Sequence, residues 1–196
     1  MPARRDGTEP MIAHGRVFLR PAEREDLPLF VRWFDDARTS RTLSAAAPMS
    51  LAMEEDWFER TVANQGRDGY HFVVCRLEDD RPIGTIGLFE LDLRNGNAGL
   101  GISIGDPVDT GQGYGTDALR AIVGWAFDML RLERIWLDVY AFNPRARVVY
   151  ERLGFVHEGT SRHGAFRFGE YVDLDRMAIL AGEWRAAAGQ TPEDPR

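Results

Sequence analysis

Three glycines alternate over five residues in Thr110-Gly111-Gln112-Gly113-Tyr114-Gly115-Thr116, and what flanks them constrains this chain most. Before them, Gly101 to Asp106 alternates as a half-buried strand does, with Ile102 and Ile104 on one face. Asp106-Pro107 stops that strand, because proline has no N–H for a sheet ladder. After the glycines the period changes. Leu119, Ile122, Val123, Ala126, Phe127 and Leu130 recur at three- and four-residue steps, one apolar stripe on a helix of roughly four turns. Removing every other Cβ ahead of a helix lets backbone N–H groups converge on an anion, and the helix adds roughly half a positive charge there. The turn reads either as a pyrophosphate cradle or as a flexible connector capped by Thr116 or Gly115. The G-x-x-x-x-G-K-[ST] pattern is absent. A dinucleotide fingerprint would need glycine where Thr116 stands, although Asp138 could imitate its ribose-binding acid.

Beyond the next strand comes Asn143-Pro144-Arg145-Ala146-Arg147-Val148-Val149-Tyr150-Glu151-Arg152-Leu153-Gly154-Phe155. The G-Q-G-Y-G-T turn and this segment, in this order and joined by an amphipathic helix and a strand, resemble the GCN5-related N-acetyltransferase (GNAT) superfamily. The likeness is to the branch of ribosomal-protein N-terminal and spermidine acetyltransferases, and it covers Arg16 to Trp184. It implies an α/β (α+β) fold: a mixed, twisted sheet of about six or seven strands flanked by about four helices. Two neighbouring strands, around Ile102 and Trp136, would splay apart, and an acyl-pantetheine arm could take their free hydrogen bonds as a pseudo-strand.

Acyl transfer from a thioester to an amine requires three things: a held cofactor, a stabilised carbonyl oxygen, and protons moved off the amine and onto the sulfur. The resemblance implies acetyl-CoA, or another acyl-CoA such as succinyl-CoA, as co-substrate and no metal. It places the pyrophosphate on the amides of Gln112, Gly113, Tyr114, Gly115 and Thr116, with Ile104, Asn143 and Arg147 completing the cofactor site. Thr110 stands where the family's pattern opens with Arg or Gln. A backbone N–H near Ser103 or Ile104 is the donor to the carbonyl. Tyr150 and Asn143 are the catalytic candidates, Asn143 having also a plain use as a loop cap before Pro144. A phenol near pKa 10 protonating a thiolate whose thiol lies near 8.5 is uphill by roughly 2 kcal/mol, so Tyr150 hydrogen-bonds the leaving sulfur and gives its proton late. Gly99 replaces a Glu that often serves as base, which leaves Glu90 and Asp92 as the nearest acids. Glu170, Tyr171 and Asp173 could bind a cationic acceptor, Trp33 could line its site, and Arg38 or Arg41 could meet a carboxylate.

The expected reaction is N-acetylation of a primary amine, on a small molecule or a protein N-terminus, by direct attack in a ternary complex. A non-catalytic acyl-CoA-binding module and an NAD-dependent oxidoreductase are the rivals. The formal charge of −7 disfavours nucleic acid and suits a cationic partner. His71, His157 and His163 lack metal-ligand spacing. The single cysteine, Cys75, sits in an apolar run and reads as buried filler. With no signal peptide or membrane run recognised, the expectation is a cytoplasmic protein, as monomer or homodimer. Residues 14–185 are expected to form one acyltransferase domain between an irregular segment, 1–13, and a tail, 186–196.

Overall fold

The computed structural model describes residues 9–43 and 47–189. It is a mixed α/β fold with eight strands, mostly antiparallel, and six α-helices. Its described residues fall into two compact units, one from within Met1–Leu91 and Leu100–Trp125, the other from within Asp92–Gly99 and Ala126–Arg196.

The first unit begins with β1 (Ile12–His14) and β2 (Val17–Pro21), then α1 (Leu27–Asp35), α2 (Ala37–Ser40), α3 (Leu51–Asn64), β3 (Tyr70–Arg76) and β4 (Pro82–Asp92). β1, a strand inside the segment expected to be irregular, pairs antiparallel with β2, with Ile12 opposite Leu19. β2 pairs with β3, and β3 with β4, both antiparallel. Helix starts follow local chemistry. Ser50 caps α3 by accepting from the Met53 N–H at 3.2 Å, and Asp36 caps α2 by accepting from that of Arg38 at 2.8 Å. Phe18, Leu27, Phe30, Trp33, Phe58, Val73 and Cys75 form one buried cluster. Cys75 is fully buried, and burial pushes its thiol up to about 11.

β5 (Asn97–Ile104) supplies its end to this unit and its beginning to the other. Gly105, directly after it, is gripped on three sides. Its N–H donates to the Ile83 carbonyl at 2.9 Å, and its own carbonyl accepts from Thr39 Oγ1 at 3.0 Å. A Cβ here would lie 2.0 Å from the Trp33 ring, so only glycine fits. α4 (Tyr114–Met129) follows, two residues earlier than its stripe predicts. Leu119, Ile122, Val123, Ala126 and Phe127 are all buried, as the stripe requires, while Leu130 falls just past the helix end and is half-buried.

In the second unit the beginning of β5 pairs parallel with β6 (Arg134–Tyr140), Asn97–Gly99 against Arg134–Trp136, and that ladder ends there. β6 pairs along its whole length with β8 (Glu170–Leu180), which pairs in turn with β7 (Val156–Arg167). α5 (Pro144–Arg152) lies between β6 and β7 in sequence, and α6 (Ala181–Gly189) extends into the expected tail, whose residues 190–196 lie outside the described part. Among the described residues no helix is long and apolar enough to cross a membrane.

Gly105→Ala is expected to lower stability by about 1–3 kcal/mol, since the added methyl must displace the Trp33 ring or the strand end. A urea titration against the parent chain measures it.

Candidate active site

Asp106 begins the loop by accepting from the Val108 N–H at 3.3 Å, which starts a short 3-10 turn over Pro107–Asp109. Asp109 is 2% exposed and accepts two hydrogen bonds from Arg81 on the β3–β4 hairpin, one at 2.9 Å. Gly111 and Gly113 then both take positive φ, 83° and 89°. Alternating handedness turns successive N–H groups to one side, the geometry of an anion nest. The first inward amide of α4 is that of Asp117, donating to the Gly113 carbonyl at 3.1 Å. The amides of Tyr114, Gly115 and Thr116 precede it, where helix geometry provides no intrahelical acceptor.

Arg16 braces this loop from far away in sequence. Its Nη1 donates to the Gln112 carbonyl at 2.8 Å and its Nε to Asp117 at 2.8 Å. Its guanidinium also lies 4.9 Å from the centre of the Tyr114 ring. A Cβ at Gly113 would come within 2.6 Å of Arg16 Nη2. The positive φ favours glycine at that position, and any other residue would also have to push the flexible Arg16 side chain off the loop.

The same unit holds a chamber of about 520 Å3, walled by α1, α3, β3, β4 and the end of β5. Its floor at Gly101–Ser103 is part of the strand expected to face the thioester. Aromatic rings dominate the walls: Phe30, Phe34, Trp57, Phe72 and Phe89. One carboxylate, Glu54 on α3, is set among them. Its residue is 3% exposed, and burial raises its pKa above the usual carboxylate value. His71 on β3 lines the same space with its ring edge-on to Trp57, centroids 5.4 Å apart. Burial lowers its pKa, so the imidazole is neutral at pH 7. A smaller cavity of about 320 Å3, sharing Arg60, His71 and Phe89 with this one, carries Asp68 and Glu90.

Several expected site residues have other engagements. Trp33 is 3% exposed, stacks on Phe30 at 5.9 Å and presses on Gly105, so it is core and no wall of the chamber. Asp92 accepts from the Asn95 amide side chain and from the Asn95 N–H at 2.9 Å, bonds that hold the turn and lower its pKa. Glu90 is exposed, with φ of 49°, on the rim of the smaller cavity.

In the second unit, Asn143 caps α5, its Oδ1 accepting from the Ala146 N–H at 3.2 Å, which leaves Nδ2 as the group able to donate elsewhere. Arg147, expected at the cofactor, spends its charge on Glu151 and Asp175, each at 2.9 Å. Tyr150 is half-buried against Phe155, and burial pushes its phenol up to about 12. Glu170 and Tyr171 are exposed at the β7–β8 hairpin, where Tyr171 packs on His163 and Phe166. Thr110 Oγ1 donates to the Asp106 carbonyl at 3.4 Å. Glu54 is not among the site residues expected from the sequence. Nor is Arg16, whose partners lie about a hundred residues on.

Three comparisons bear on this geometry. The family model described as an acetyltransferase (GNAT) domain matches residues 16–156. Spermidine N(1)-acetyltransferase of Escherichia coli (strain K12) is 30% identical over 179 residues, covering 89% of this chain and 93% of that protein. Two Bacillus subtilis (strain 168) proteins bearing N-acetyltransferase names, YdaF and YjcK, are 35% and 36% identical over 55% and 57% of this chain. The match spans only 58% and 61% of their own lengths. The crystal structure of a Vibrio cholerae spermidine N-acetyltransferase in complex with CoA and spermine superposes with a TM-score of 0.81 at 26% identity, over 87% of this chain and 98% of that one.

Because its folded-state pKa is depressed, His71 contributes stability that is present above about pH 6.5, the unfolded value. Below that the unfolded chain takes the proton first, and the contribution is lost as pH falls through the folded value. An NMR titration of the His71 ring should give a midpoint below 6.5, and His71→Gln should remove that part of the stability loss on acidification.

Proposed function

Since this chain belongs to the GNAT acetyltransferase family, we propose that it is an acetyl-CoA-dependent N-acetyltransferase that modifies a primary amine by direct attack. The loop at the start of α4 carries this reading. Its nest over Gly111–Gly113 and the leading amides of α4 suit the diphosphate of coenzyme A, and the Thr116 hydroxyl adds one donor. Because the cradle is main chain, braced by Arg16, it does not need the Arg or Gln that Thr110 replaces. Among the described residues no group of His, Cys, Asp and Glu could hold a metal.

The acceptor enters the aromatic chamber, which ends on Gly101–Ser103. There the thioester carbonyl lies against β5, and an amide near Ser103 or Ile104 stabilises the charge that develops on its oxygen. Asn143 Nδ2 serves the pantetheine or the acceptor. Tyr150 is the proposed hydrogen-bond donor to the leaving sulfur. With its phenol near 12 and a thiol near 8.5, full transfer is uphill by about 5 kcal/mol at about 1.36 kcal/mol per pKa unit. Tyr150 therefore acts first as a hydrogen-bond donor, uncharged throughout the working pH range, and releases its proton as the C–S bond completes its cleavage.

Gly113→Ala should weaken CoA binding by about tenfold or more, read by calorimetry, with a melting curve confirming a folded chain. Tyr150→Phe should lower kcat by about 10²–10⁴ while leaving the CoA Kd unchanged, read by thiol release. Unaltered turnover in the second variant removes Tyr150 from the reaction.

A further inference from the structure

The charge inventory of the large chamber selects among amines. Four residues lining it can carry charge: Glu54, Asp56 and Arg60 on α3, and His71 on β3. Asp56 and Arg60 pair with each other at 3.0 Å, and both are exposed. His71 is neutral at pH 7. The lining residues from α1, β4 and β5 are uncharged. That leaves Glu54 alone. No hydrogen bond or ion pair engages its carboxylate among the described residues, and desolvation is the only cause acting on its pKa.

A buried carboxylate without a partner is expensive, and a glutamine or leucine would pack there at lower cost. A carboxylate of a 3% exposed residue that has no partner among the described residues and opens on a cavity points to a cation that the cavity takes up. The rest of the lining says what accompanies that cation: Phe30, Phe34, Trp57, Phe72 and the methionines at 49 and 53 offer flat and adaptable apolar contact.

We propose that the acceptor is a primary monoamine with a flat, apolar body, of the arylalkylamine kind, and that Glu54 holds its ammonium group and takes its proton. This rests on the reading of the chamber as the acceptor site of an acetyltransferase. A polyamine fits the inventory less well. Its second ammonium finds in this chamber only the exposed Asp56, which Arg60 already pairs, and on the way to Asp68 and Glu90 in the smaller cavity it meets Arg60, which lines both. The step balances without a further reactant. The ammonium gives one proton to a Glu54 oxygen, the freed nitrogen lone pair forms the bond to the acetyl carbon, the C–S bond breaks, the nitrogen sheds its second proton to water as the amide forms, the thiolate takes a proton from Tyr150, and solvent returns a proton to Tyr150. The raised pKa of Glu54 makes it a stronger base than an exposed glutamate. Its role is the one for which Gly99 offers no carboxylate.

Thiol release is measured with acetyl-CoA and three probes: phenethylamine, spermidine and a peptide with a free leucine N-terminus. Phenethylamine should exceed both others in kcat/KM by about tenfold or more. Glu54→Gln should lower its kcat/KM by about a hundredfold or more and abolish the acid limb of the pH–rate profile. Its CoA Kd should stay within about twofold of the parent value, and its melting temperature at pH 7 should hold or rise, because the buried charge is gone. Highest activity on spermidine or on the peptide overturns the acceptor class. Unchanged kinetics in Glu54→Gln overturns its role. In either case transfer itself stands. Tight CoA binding with no acetylation of any probe or of a wider amine panel overturns the acetyltransferase reading together with this one.

Discussion

The face of the Trp33 indole rests on the Cα of Gly105, and the geometry of the first unit depends on that contact. With its N–H given to Ile83 and its carbonyl to Thr39, Gly105 is fixed where β5 ends. A strand end held this firmly sets where Asp106–Gly113 can run and so where α4 starts. The Asp109–Arg81 pair and the Arg16 brace then refine the loop from two other sides. The anion nest is thus built from rigid neighbours, which spares a bound diphosphate the cost of ordering a floppy glycine segment.

The chamber beside it follows a different logic. Protein interiors exclude unpaired charge, yet Glu54 lies within an aromatic wall. Such a placement weakens the fold and gains reactivity, a combination found where a site is shaped for a ligand more than for stability. His71, which lines the same chamber, is kept neutral at pH 7 by burial and so does not neutralise Glu54.

Much of this was legible in the residue pattern. The α4 stripe, the Asn143 cap, the stop at Asp106-Pro107 and buried Cys75 all appear where periodicity and turn chemistry put them. Short pieces escaped. β1 is three residues and α2 four, too few to show a period, and with β1 the sheet reaches eight strands. Side-chain engagements escaped for a different reason. Whether Arg147 was free for a phosphate turned on Asp175, twenty-eight residues on, and whether Trp33 was wall or core turned on Gly105. Glu54 reads in sequence as an ordinary acid in the first turn of a helix. Only the aromatic walls that other elements bring around it give it another meaning.

The burial of Cys75 has a practical side. The chain's one sulfhydryl is shielded from solvent and, with its pKa near 11, is almost wholly protonated at neutral pH, so it is a poor nucleophile toward disulfide dyes and maleimides. A colorimetric reagent added to a turnover mixture would therefore register coenzyme product against a nearly silent protein background. Conversely, a cysteine introduced at any exposed position could be labelled selectively, without first removing the native one.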